Sequence, residues 1–257
     1  MNFILIVMSL FNEKLKQISL IETLSLLIIL FIIQFFLNTL NIIQIDSIWI
    51  YIFIIFFFIF KLKNEFFTSG LDVNSALSLD CLKLVLPIVI LNIFLSYGCL
   101  YLSEYILMIT PGINFGFNAI FSTGLISTIV FSPVCEELVF RGVFVSRLKL
   151  IVPTVFAVLI SSLLFASLHG FGAVISAFIF GICMAIVYLK TDNIFVPILA
   201  HFLNNLFAEA IVLLDGNHIL FTNDWLMCAM SVLAVVSFIL ISVFIVREMK
   251  ILNNNNL

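Results

Sequence analysis

Ile48-Trp-Ile-Tyr-Ile-Phe-Ile-Ile-Phe-Phe-Phe-Ile-Phe60 contains no charged or amide side chain in thirteen successive positions. Its β-branched and aromatic residues favour strands locally. A strand that crosses a bilayer, however, alternates apolar and polar side chains over about 10 residues. An unbroken apolar run is instead what a helix needs when hydrocarbon surrounds it on all sides. Extended back to Ile42, the run is long enough for one crossing at about 20 residues per span.

The same reading holds along the chain. Apolar segments lie near Ser19–Leu40, Ile42–Phe60, Leu84–Leu102, Asn118–Leu148, Val152–Leu168, Phe171–Leu189, Ile194–Leu214 and Trp225–Val246. They predict an all-α polytopic membrane protein of about eight transmembrane helices. Composition agrees: of 257 residues 64% are hydrophobic, 10% are charged and 30 are Phe, with a mean hydropathy of +1.32. A soluble domain carries about 45–50% apolar and about 25% charged residues, because water must wet its surface. Eight spans consume roughly 160 residues. The remainder makes short loops, which argues against a separate soluble catalytic domain, a disulfide-stapled secreted fold or a nucleic-acid binder.

The five cysteines, Cys81, Cys99, Cys135, Cys183 and Cys228, form no CxxC pair, so neither a zinc ribbon nor a redox motif is encoded. Met1–Phe11 is apolar but too short to span, and no small-residue cleavage site follows it. It reads as an interfacial segment lying on the membrane rather than a removed signal peptide. With the amino terminus inside, Lys14, Lys16, Lys61, Lys63, Lys83, Arg147, Lys149, Lys190, Arg247 and Lys250 all fall on the cytoplasmic side. The outer side holds Asp46, Glu104, Asp215 and Asp224 and no Lys or Arg. Basic residues collect in cytoplasmic loops, so both termini are expected there. The loop Thr68–Ala76 is expected to contain a helix start, and the polar tail Asn253–Asn256 to be disordered.

Arg141 is the one basic residue left inside a span. A charge at mid-helix costs about 2.5–3.5 kcal/mol on insertion scales, so polar residues retained there are candidates for function. Ser132-Pro-Val-Cys-Glu-Glu-Leu-Val-Phe-Arg-Gly142 places Glu136, Glu137 and Arg141 in the fourth span. Glu137 and Arg141 are four apart with the acid nearer the amino end, the favoured order for an ion pair. Glu136 is rotated about 100° from its neighbour and so faces elsewhere, toward a site. The alternative is an ion pair in a helix reaching out into the interface. Pro133 removes a backbone donor just before the acids.

His169 closes the fifth span in Phe165-Ala-Ser-Leu-His-Gly170. A lone histidine at such a position is more often interfacial than catalytic. In the seventh span His201 and Asn205 are four apart and share a face; Asn204 lies off it and is expected to hold backbone or a neighbouring helix. Glu209, two turns beyond His201 on a similar face, either lines the same cavity or, the favoured reading, makes a polar contact between helices, and Glu22 is expected to reach for the interface. A carboxylate with an imidazole can take a proton from water, while an imidazole with an amide can donate to a tetrahedral oxyanion. Depth is the difficulty. At about 1.5 Å per residue, Glu136 and His201 lie roughly 12–17 Å from the cytoplasmic ends, but His169 about 25 Å from Val152. A tilted or shortened fifth helix, or one whose start lies elsewhere than Val152, would bring them level.

Glu136-Glu137-x-x-x-Arg141, Phe165-x-x-x-His169 and His201-x-x-x-Asn205, in this order, resemble the three motifs of the CAAX protease and bacteriocin-processing (CPBP, or Abi) family, intramembrane endopeptidases that include the type II CAAX prenyl proteases. The resemblance covers about 90 residues, from near Asn118 to Glu209. It implies three parts: amino-terminal membrane helices over 1–117, a CPBP-like catalytic core over 118–210, and a final span with a cytoplasmic tail over 211–257. It further implies that Glu136 and His169 activate water and that His201 and Asn205 form the oxyanion site. Glu137 and Arg141 would support them, with Phe165 packed alongside.

The resemblance leaves the metal open. Glu136, His169 and His201 also make a plausible zinc set, but Asn205 is a poor zinc ligand and no HExxH helix is present, which favours a metal-free glutamate mechanism with no cofactor. The expected substrate is a membrane-associated peptide or lipidated protein, in the plasma membrane of a bacterium or archaeon. Two other classes compete. Members of the family are associated with bacteriocin self-protection, so a non-catalytic immunity or scaffold protein is the first. A proton-relaying transporter is the second, although no inverted repeat is evident.

Overall fold

The computed structural model describes residues 10–40, 48–68, 73–109 and 124–254. Among them there is helix and no strand. The elements are α1 (Leu10–Gln17), α2 (Leu20–Thr39), α3 (Ile48–Thr68), α4 (Val73–Ala76) and α5 (Leu79–Ile109), followed by a helical run over 127–148. That run alternates π-helix (Ser127–Phe131), α6 (Ser132–Glu137), π-helix (Leu138–Val145) and α7 (Ser146–Leu148). Then come α8 (Thr154–Ala166), a 3-10 turn (Phe171–Ala173), α9 (Val174–Thr191), α10 (Phe195–Leu214), α11 (Ile219–Thr222) and α12 (Asp224–Asn254).

Five segments are long and apolar enough to cross a membrane: Leu20–Thr39, Leu79–Ile109, Phe171–Thr191, Phe195–Leu214 and Asp224–Asn254. The other three predicted spans depart from that standard for separate reasons. α3 has 21 residues, but Lys61, Lys63 and Glu65 occupy its last turns. The predicted span Asn118–Leu148 enters the described residues only at Gly124 and is a mixed π/α rod. α8 has 13 residues and rises only about 20 Å, against a hydrocarbon core of about 30 Å. α8 is thus shorter than the predicted fifth span and starts two residues later.

Burial divides the helices by role. In Phe171–Thr191, 67% of the apolar window is buried, against 6% in α2. α9 is therefore the central post, and α2 is an outer one whose side chains point at lipid. α12 runs along α5, and Gly98 permits the approach: a Cβ there would fall on the Cβ of Ala234. α12 continues through Asn253 and Asn254, so the first half of the tail expected to be disordered is helical. The rest of that tail, Asn255 and Asn256, lies outside the described residues. The helix start expected in Thr68–Ala76 is α4, at Val73.

The interfacial reading of Met1–Phe11 meets the described residues only at Leu10, which is exposed, and Phe11, which is buried. Met1–Ser9 lies outside the described residues, but Leu10 and Phe11 open α1, and α1 turns inward rather than lying on lipid. Phe11, Asn12 and Leu15 are buried, and Asn12 Oδ1 accepts from the Ile194 amide at 3.0 Å. Leu15 rests on Gly142, where any Cβ would come within 2.8 Å of its Cδ2. The reason is the pairing available at that end of the bundle. Lys16 meets Asp192, the Arg147 guanidinium donates to the carbonyls of Gln17 and Ile18, Lys61 meets Glu22, and Lys190 meets Glu248. Most basic side chains that share these contacts therefore gather at one end.

Candidate active site

The site is built around an irregularity in the 127–148 rod. The Ser132 amide bonds the Ser127 carbonyl, five residues back. In that π register residue 133 would serve the Thr128 carbonyl, but Pro133 has no N–H. Asn205 Nδ2 donates to Thr128 O instead, at 2.8 Å. One proline thus fixes where an amide from α10 must sit. The amide chain continues outward: Asn204 Nδ2 donates to Asn205 Oδ1 at 3.3 Å, and Asn92 Nδ2 on α5 donates to Asn204 Oδ1 at 2.9 Å. Asn204 does hold a neighbouring helix. π-Turns of this kind occur often at functional sites.

Glu136 and Glu137 leave the rod in different directions. Glu137 is fully buried, and its Oε1 receives Arg141 Nη1 at 3.0 Å and His201 Nδ1 at 2.8 Å. Arg141, also fully buried, donates from Nη2 to the Gly181 carbonyl at 3.1 Å and lies 4.4 Å from the Phe165 ring centroid. A Cβ at position 181 would sit 3.3 Å from that guanidinium nitrogen and 3.1 Å from Ser162 Cβ, which is why α9 carries a glycine there. The expected ion pair is present, with a third member that the sequence did not reveal.

Glu136 Oε1 accepts from Ser132 Oγ and from Tyr51 Oη on α3, the latter at 3.4 Å. Its Oε2 has no hydrogen-bond partner among the described residues and stands 4.0 Å from His201 Nε2. Ser132 and Tyr51 were missed from sequence. Ser132 is four residues before Glu136 and so on its face, a signal that was available; Tyr51 comes from another helix and gives none.

Hydrogen-bond partners assign the imidazole protons. His169 Nδ1 contacts the Phe165 carbonyl at 3.1 Å, and a carbonyl only accepts, so Nδ1 carries hydrogen and Nε2 presents a lone pair in the neutral ring. His201 Nδ1 is held by a carboxylate in the same way. Phe165 joins the two: its ring centroid is 4.7 Å from that of His169 and 5.7 Å from that of His201. Glu136 and His201 are both electrostatic neighbours of His169. His169, three residues past the end of α8, is thereby gathered with Glu136 and His201.

One expected contact differs: Glu209 is half-buried and makes no hydrogen bond or ion pair among the described residues, so it does not bridge helices. Glu22, in the first turn of α2, is exposed and meets Lys61 Nζ at 2.8 Å. Glu136, His169 and His201 are donor types that zinc takes, and among the described residues no group of three or more His, Cys, Asp or Glu side chains is placed to hold a metal ion.

Beside Glu136 lies a cavity of about 220 Å³. Its walls come from α2, α3, the 127–148 rod and the end of α8, among them Leu27, Ile54, Val139 and Phe140. Leu24, Ile28 and Leu164 on its rim are exposed, so it opens sideways between helices.

Residues 118–207 match the family model described as type II CAAX prenyl endopeptidase Rce1-like. This segment is Rce1-like. The match agrees with the CPBP/CAAX protease family that the three motifs resemble, and it contains all of them. An Rce1-like segment implies a protease, and with the five apolar helices it points to an integral membrane protein. No curated protein and no solved structure gives a significant match.

Proposed function

We propose that the protein is an intramembrane endopeptidase that hydrolyses a peptide bond of a membrane-associated protein or peptide without a metal ion. One observation carries the reading: the unpartnered Glu136 Oε2 faces His201 Nε2 across 4.0 Å at the wall of the lateral cavity. That gap is too wide for a direct hydrogen bond and suits a bridging oxygen.

In the proposed reaction, Glu136 takes a proton from water, with His169 Nε2 accepting a hydrogen bond from the same water. The water oxygen bonds to the carbonyl carbon, and the carbonyl π pair moves onto oxygen. Glu136, Glu137 and Arg141 sum to one negative charge, so a proton on His201 brings the group to neutrality and makes Nε2 a donor to the oxyanion. The Asn205 Nδ2 hydrogen not used by Thr128 is the second donor. Collapse restores the carbonyl and breaks the C–N bond; the leaving nitrogen takes the proton from Glu136. Glu137 holds His201 in register, and Arg141 holds Glu137. In this reading the eight apolar segments, the short α8 included, lie within the membrane with both termini on the cytoplasmic side, where the Lys and Arg residues gather, in the plasma membrane of a bacterium or archaeon.

The test is turnover of a fluorogenic peptide panel, prenylated and unprenylated, by the detergent-purified protein. Glu136→Gln and His169→Ala are expected to lower kcat by about 10²–10⁴-fold, while a tight zinc chelator leaves the wild type unchanged. Turnover that survives Glu136→Gln overturns the mechanism, and turnover lost to chelator and restored by zinc overturns its metal-free form. A protein that protects cells from a bacteriocin equally well as Glu136→Ala is a non-catalytic immunity protein.

A further inference from the structure

Asn92 lies within α5, which packs against α10, and only 3% of it is exposed. Its Nδ2 donates to Asn204 Oδ1 at 2.9 Å, yet its Oδ1 has no hydrogen-bond partner among the described residues. A buried acceptor without a donor is costly, and a leucine of similar shape at position 92 would avoid that cost. What leucine would not supply is the N–H that reaches Asn204.

The direction of this amide chain is fixed from its far end. The Thr128 carbonyl only accepts, so Asn205 turns Nδ2 toward it at 2.8 Å and leaves Oδ1 for Asn204 Nδ2 at 3.3 Å. Asn204 Oδ1 is then the atom left for α5, and Asn92 has to meet it with Nδ2. A flipped Asn92 would set two amide oxygens against each other. The amides of Asn92, Asn204 and Asn205 therefore run head to tail from α5 to the 127–148 rod, each donating to the next. The orphaned Asn92 oxygen is at one end, and the Asn205 Nδ2 hydrogen not used by Thr128 is at the other. Hydrogen bonds in such a series polarise one another, so an Asn205 whose oxygen accepts is the stronger donor at nitrogen. Held at both its oxygen and its nitrogen, that amide also keeps its remaining N–H in one direction.

We infer that Asn92 is a positioning residue of the hydrolytic site: acting through Asn204, it orients Asn205 and strengthens the Nδ2 donor offered to the oxyanion. This rests on the hydrolytic reading above, in which Asn205 is an oxyanion donor, and extends the site to a helix outside residues 118–207. An oxyanion is present in the transition state and not in the bound substrate, so loss of this alignment falls on kcat and leaves KM unchanged.

The experiment measures kcat and KM of the full chain in detergent on the fluorogenic peptides, prenylated and unprenylated, with Tm followed on the same samples. The variants are Asn205→Ala, Asn92→Leu and the two combined. Asn205→Ala is expected to lower kcat by about 10²–10³-fold. Asn92→Leu is expected to lower kcat by about three- to tenfold at unchanged KM, and to have no further effect in the Asn205→Ala background, since a residue that acts through Asn205 has nothing left to act on. A merely structural role would lower Tm and give the same factor in both backgrounds. Where Asn92→Leu does not fold, Asn92→Leu/Asn204→Leu replaces donor and acceptor together, which spares stability, and is expected to show the same loss of kcat. Wild-type kcat in Asn92→Leu, a change in KM alone, or an undiminished effect in the Asn205→Ala background overturns the inference and leaves the hydrolytic reading standing. Asn205→Ala that turns over like the wild type overturns the oxyanion role of Asn205 instead, and a wild type that cuts no peptide overturns the hydrolytic reading and this inference together.

Discussion

Ion pairs at one end of the bundle and in its interior use the same chemistry for different ends. At the end, Lys61 and Glu22 meet at 2.8 Å with side chains 33% and 51% exposed, and Lys190 meets Glu248 at 3.1 Å. In the interior, Arg141 and Glu137 meet at 3.0 Å with almost no exposure, and His201 adds a third contact at 2.8 Å. Water competes for Lys61 and Glu22, so that pair contributes about 0–1 kcal/mol, whereas Glu248 is buried and its pair with Lys190 is only half open to water. The second set has no water to fall back on, so removing one member leaves an uncompensated buried charge. The Lys61–Glu22 pair marks an end of the molecule; the buried group holds a histidine in one orientation.

The largest break in that contrast is Arg141→Ala. It leaves Glu137 facing an apolar interior and is expected to cost about 3–5 kcal/mol, read as a lower apparent Tm in detergent. The double variant Glu137→Gln/Arg141→Met should recover part of the loss, and failure to recover any would mean that the charge is not what matters. Next in size is Gly142→Ala, which drives a methyl group into Leu15 and is expected to cost about 1–3 kcal/mol. Adding Leu15→Ala should restore stability if α1 docks on that glycine. The smallest effect belongs to Lys61→Ala, expected to change stability by less than about 1 kcal/mol and to fade further in high salt. A loss as large as that of Arg141→Ala would erase the distinction between the two regions.

Parts of the site were legible in advance. The i,i+4 pairing of Glu137 with Arg141, the separate direction of Glu136 and the shared face of His201 and Asn205 follow from helical geometry alone. The Ser132 contact was readable by the same rule. The Tyr51 and His201 contacts were not, because they join residues 85 and 64 positions apart through packing that no local spacing encodes. The span count was legible only in part. Hydropathy sees apolar runs, but it does not see where α8 stops or where a π-turn interrupts the rod.

Sequence by itself determined an all-helical membrane protein and its buried charged groups, because apolarity and helical periodicity are properties of neighbouring residues. Tertiary structure decided that α1 packs inward, that His169 comes within electrostatic reach of Glu136, and that Asn205 takes the carbonyl bond Pro133 cannot make. Each of these depends on which polar group remains unsatisfied once the helices are side by side, and in an apolar interior that group must find its partner on another helix.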